Sequence, residues 1–79
     1  MHAIINNGKN NNLHCNVDCE VGNYQDQYNS PGECYNDIKE DIQNDCKERE
    51  YTEAETEKVL NHYQILLSNS AGEWKDINF

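Results

Sequence analysis

The sequence predicts an α+β domain: a short N-terminal β-hairpin packed on an antiparallel two-helix hairpin, with helices over about residues 31–48 and 53–68. Three observations carry this. Leu13, Cys15, Val17, Cys19 and Val21 alternate with His14, Asn16, Asp18 and Glu20, the period of a half-buried strand. Ser30-Pro31-Gly32-Glu33 and Thr52-Glu53-Ala54-Glu55 both have the spacing of helix capping boxes. Each box precedes apolar residues that recur at helical intervals.

Taken in order, Ile4 and Ile5 supply a short partner strand for residues 13–21, and Asn7-Gly8 is the dipeptide that type I′ hairpin turns prefer. Residues 22–29 read as a polar loop carrying Tyr24 and Tyr28. Ser30 then caps a helix whose first position is Pro31, where the missing N–H costs nothing. Cys34, Ile38, Ile42 and Cys46 follow at four-residue intervals as one apolar stripe, with Tyr35 alongside. Val59, Leu60, Tyr63, Leu66 and Leu67 form the apolar face of the second helix, which Ser68, Asn69, Ser70 and Gly72 bring to a stop. Residues 49–51 are a short enough link for an antiparallel pair. Ile38, Ile42, Leu60, Tyr63 and Leu67 are expected to share one core, with Trp74, Ile77 and Phe79 docking on it.

Size limits what this core can be. A chain of 79 residues is one domain at most, and only about 60% of its unfolded surface can be buried. With 35% hydrophobic and 27% charged residues it stands near the border between folded and disordered chains. Thirteen asparagines, crowded near the start, mark residues 1–12 as an expected mobile end, together with 73–79. No run approaches the ~18 apolar residues of a membrane span. The start has no basic segment of a secretory signal, so a cytoplasmic location is expected. The net charge of −9 repels nucleic acid and anionic lipid, which leaves a basic protein as the natural complement.

The four cysteines admit disulfides, zinc or buried thiols. On a strand Cys15 and Cys19 stand roughly 13 Å apart at about 3.3 Å per residue. On a helix Cys34 and Cys46 are about 18 Å apart. Neither pair meets the ~7 Å limit of a disulfide, and a cytoplasmic chain disfavours the cross pairs. For zinc, Cys15, Cys19 and His14 make a weak half-site, and Cys34 with Cys46 is no second half. A helical 14–20 segment would put Cys15 and Cys19 on one face, which keeps a metal-stabilised module as an alternative. Buried thiols are the favoured reading, with no cofactor.

No catalytic constellation stands out. His2, His14 and His62 have no telling spacing to a cysteine, and adjacent strand residues 14 and 15 face opposite ways. Asn16, Asp18 and Glu20 imitate the start of a calcium loop. However, the required glycine position holds Val21 and the bidentate glutamate position holds Gln27. The chain is expected not to be an enzyme.

Residues 33–57 contain ten Asp or Glu against Lys39, Lys47 and Arg49, a net −7 of the total −9. On a helix, Glu33, Asp37, Glu40, Asp41 and Glu48 fall within a sector of roughly 100°, opposite Ile38 and Ile42. Glu33, Asp37 and Asp41 repeat about every 6 Å along the axis, near the spacing of successive DNA phosphates. Such a face is often only solvated, and an acid in the first turn also complements the helix dipole. Its functional use is to occupy a basic groove of a nucleic-acid-handling protein. Ile65 points away from the apolar stripe, and with Trp74 it is a candidate for apolar partner contacts or a homodimer.

In size, acidity and lack of an enzyme motif the chain resembles the small host-takeover proteins of large SPO1-type Bacillus phages. The acidic helices of residues 33–57, the compact two-helix unit and the missing targeting signal carry that resemblance. It implies a polypeptide of the host cytoplasm that binds and inhibits a host protein, in transcription, nucleoid organisation or cell division. The leading expectation is therefore an acidic inhibitor acting by protein–protein interaction, nucleic-acid mimicry included. The partner contact is expected at Glu33, Asp37, Glu40, Asp41 and Glu48. The alternative is a partner of a cell-division or other assembly protein, held through Ile65 and Trp74.

Overall fold

The computed structural model describes residues 3–8, 11–69 and 74–75. Its architecture is α+β: strands β1 (Ala3–Asn6) and β2 (Asn12–Cys15), then helices α1 (Val21–Gln27), α2 (Pro31–Glu48) and α3 (Glu53–Asn69). The strands pair antiparallel, with Ala3 opposite Cys15 and Ile5 opposite Leu13. Those four residues face inward and are buried. Ile4 and His14, one residue over on each strand, lie on the outer face, as strand alternation requires. Residues 3–6 and 12 are thus regular structure inside the stretch expected to be mobile. The expected contacts of Ile77 and Phe79, and the helix-stop residues Ser70 and Gly72, lie outside the described residues.

The hairpin turn is wider than the two-residue type that Asn7-Gly8 predicts. Asn6 pairs with Asn12, and the Asn7 N–H donates to the Asn11 carbonyl at 2.8 Å. Gly8 nonetheless uses its freedom, with φ of 107°.

The expected strand of residues 13–21 is corrected by the structure, because β2 ends at Cys15. Asn16 turns its N–H to Asp45 Oδ2 at 3.1 Å, and Asp18 Oδ1 accepts from the Glu20 N–H at 3.1 Å. Short polar side chains that bind nearby backbone compete with a ladder, and here they win. The polar loop expected over residues 22–29 is corrected too. Most of it is α1, anchored by one buried side chain, Tyr24.

Both expected N-cap residues cap their helices, and the full reciprocal box is shown at Thr52. Ser30 Oγ accepts from the Glu33 N–H at 3.1 Å, with Pro31 opening α2. Thr52 Oγ1 accepts from the Glu55 N–H at 3.1 Å, and Glu55 Oε1 accepts from the Thr52 N–H at 2.9 Å, closing a reciprocal box. Between the helices, the Tyr51 N–H reaches the Cys46 carbonyl and the Glu50 N–H the Lys47 carbonyl. This is a Schellman motif with Glu50 at its left-handed position. The Tyr51 hydroxyl then accepts from the His14 N–H at 2.8 Å, tying the interhelical turn to β2.

α2 and α3 pack against each other, and the hairpin contacts both. The expected core residues Ile38, Ile42, Leu60, Tyr63 and Leu67 are all buried, joined by Val59, Cys34 and Cys46. Trp74 closes this core, its indole Nε1 donating to the Leu67 carbonyl at 3.2 Å. No helix among the described residues is long and apolar enough to cross a membrane.

Candidate functional site

The five acids expected to meet a partner are all exposed on α2, but the structure divides them. Asp37 already has a partner: the Tyr28 hydroxyl donates to its Oδ2 at 2.5 Å. That bond, with the adjacent negative charge, pushes the Tyr28 hydroxyl up to about 12. Glu33 sits in the capped first turn, where its charge complements the helix dipole. Asp41 and Glu48 line an open groove of about 490 Å³, together with Asn44 and Asp45 of the same helix. Glu40 is exposed outside that groove.

The facing wall is the irregular segment of Asn16, Val17 and Asp18, and Tyr24 and Ile38 form the buried floor. This wall is held at each residue in turn. The Asn16 N–H binds Asp45 Oδ2. The Val17 carbonyl accepts from the Tyr63 hydroxyl at 2.5 Å, and the Asp18 carbonyl accepts from the Tyr24 hydroxyl. A loop pinned this way presents fixed groups, unlike a strand edge or a free tail.

Asp45 joins the two sides. It also takes the Arg49 guanidinium at 2.9 Å, one helical turn along. Partial burial works against its charge, but the Arg49 contact, the Asn16 N–H and the nearby Cys15 thiol outweigh that. They hold its carboxyl below the usual range. Asp18 is held low as well, by the Glu20 N–H first and the Asn23 side-chain amide second. Both carboxylates are therefore firmly charged near neutral pH.

The other groups weighed from the sequence lie elsewhere. Cys15, Cys19, Cys34 and Cys46 are thiols, with all but Cys19 fully buried. Burial raises the thiol pKa of Cys15, Cys34 and Cys46, that of Cys34 to about 12, which makes them packing groups rather than nucleophiles. Among the described residues no group of three or more His, Cys, Asp or Glu could hold a metal ion. His62 packs edge-on against Tyr63, with ring centroids 5.9 Å apart. Ile65 is 50% exposed, as its position on the helix predicts. Trp74 is 5% exposed, its ring in the core on which it was expected to dock.

Sequence reasoning missed Asn16, Val17, Asp18, Asn44 and Asp45 as groove residues. For Asp45 a signal existed, since Arg49 stands four residues on and Ile38 lies on the same side of the helix. The wall carried no such signal, because its strand-like alternation pointed to another structure. Comparison with known protein families, curated proteins and solved structures returns no match.

Proposed function

We propose that this chain is a non-enzymatic binding protein that occludes the basic surface of another protein with the acidic side of α2. One observation carries the reading: α2 buries Cys34, Ile38, Ile42 and Cys46 while Glu33, Glu40, Asp41 and Glu48 stand exposed on a helix whose core side is already used. An anionic face of this kind steers a cationic partner over distance and suppresses wrong partners. The resemblance to phage host-takeover proteins supports a host protein in the cytoplasm as the target. Nucleic-acid mimicry follows where the occluded surface ordinarily binds phosphates.

Capture from bacterial lysate by the tagged full chain tests this, run beside a variant carrying E33Q, D37N, E40Q, D41N and E48Q. A specific protein should be retained at low salt, weakened at physiological salt and lost by the variant. Retention by the variant at wild-type level contradicts the proposal. A second reading rests on Ile65, whose large apolar side chain is half exposed. It assigns the contact to an assembly protein, such as a cell-division component, and predicts salt-insensitive capture that Ile65→Asp abolishes.

A further inference from the structure

The hairpin turn sets a reactive dipeptide against a cation. Asn7-Gly8 is the one place in this asparagine-rich chain where glycine follows asparagine. Gly8 is exposed, holds φ of 107°, and has open space where a Cβ would stand. The backbone nitrogen that follows an asparagine can attack the side-chain amide carbon and close a cyclic imide. Glycine hinders that approach least, because it lacks a side chain and turns freely. The Gly8 N–H donates to Asn6 Oδ1 at 2.9 Å, an exposed local bond that opens at little cost. From α3, the Lys58 ammonium donates to Asn7 Oδ1. An ammonium cannot accept a hydrogen bond, so its partner is the amide carbonyl oxygen. Negative charge gathers on that oxygen when the carbon is attacked, and a donor already in place stabilises it.

We propose that Asn7 is a self-modification site, converted to aspartate and isoaspartate by attack of the Gly8 nitrogen with Lys58 stabilising the oxyanion. The Gly8 nitrogen forms a bond to the Asn7 amide carbon, and the carbonyl electrons move to Oδ1 beside Lys58. As they return, the bond to the side-chain nitrogen breaks. That nitrogen leaves as ammonia with the bonding pair and the proton that Gly8 gives up. Solvent water then opens the imide at either carbonyl, so water is the only co-reactant. The aspartate product places a carboxylate where Lys58 already sits. The hydrogen bond between the turn and α3 becomes an ion pair, which adds attraction at an exposed site, and the chain gains one negative charge. The isoaspartate product instead lengthens the backbone of the turn. This modification does not depend on how the acidic side of α2 is used.

The test is peptide mapping by mass spectrometry of the full chain during prolonged incubation in warm neutral buffer, with and without urea. Lys58→Met, which keeps the long stem and removes the charge, is incubated beside the wild type. In folded wild type, Asn7 should convert ahead of every other asparagine, including Asn29 and Asn69, which precede serine. Folded Lys58→Met should convert Asn7 about threefold more slowly, the scale of one exposed charge contact. In urea the two chains should convert at the same rate, because the contact with α3 is gone. A variant that merely loosened the turn would convert faster, so slowing separates the charge from a loss of structure. If Asn7 stays intact while another asparagine converts, the site is overturned. Conversion in folded Lys58→Met at the wild-type rate or faster overturns the role of Lys58, and so does an equal lag in urea.

Discussion

Glu50 holds φ of 61° at the end of α2, where a side chain meets the following carbonyl and glycine would sit without strain. Its left-handed backbone lets the Tyr51 N–H reach Cys46 and begin α3. Glu50→Gly should therefore stabilise the protein by about 1 kcal/mol in urea unfolding. An unchanged or lower midpoint contradicts the strain. Asp45 makes the opposite case. Its folded carboxyl is held below the ordinary 3.8, so its contribution is complete above that value and lost as pH falls through the lower folded value. Asp45→Asn should cost about 1 kcal/mol at neutral pH, a modest figure because Arg49 is partly solvated. The wild-type advantage should vanish on acidification well below pH 3.8, as thermal melts of both proteins will show. None of Asp45's partners except Arg49 was legible, because Asn16 and Cys15 come from a distant part of the chain.

At the scale of elements, what was legible is what has local chemistry. The boxes at Ser30 and Thr52 are readable because a short hydroxyl side chain satisfies N–H groups only at that spacing. Thr52→Ala should cost about 1 kcal/mol and fray the start of α3, seen as faster amide exchange at residues 54–56. Exchange unchanged there would show that packing alone holds this end. The strand and loop predictions failed for a related reason. Alternation over residues 13–21 is real, but Asp18 captures the Glu20 N–H and the chain leaves the sheet after Cys15. α1 carries Gly22 and Asn23 and buries only Tyr24, so propensity and pattern both pointed away from helix. Its anchor, the Tyr24 hydroxyl on the Asp18 carbonyl, is a tertiary bond. The groove wall is thus made where local signals mislead.

For the whole molecule, a −9 chain gathers most of its described apolar residues into one core shared by the hairpin and three helices. The acidic face was legible because helical geometry alone places it. Its partition was not, since only the folded chain shows Tyr28 on Asp37, and Asp41 and Glu48 across from Asp18. Trp74 docks on the core as expected, and the folded chain adds its partner, the Leu67 carbonyl beneath its indole. The central claim is that the acidic side of α2 binds a basic protein surface. Its most direct measurement is the dissociation constant of the captured partner across a range of salt concentrations, for wild type and for the five-acid variant. Wild-type affinity should fall steeply with salt, and the variant should bind weakly at every salt concentration. A wild-type affinity that ignores salt, or a variant that binds as tightly, would contradict the claim.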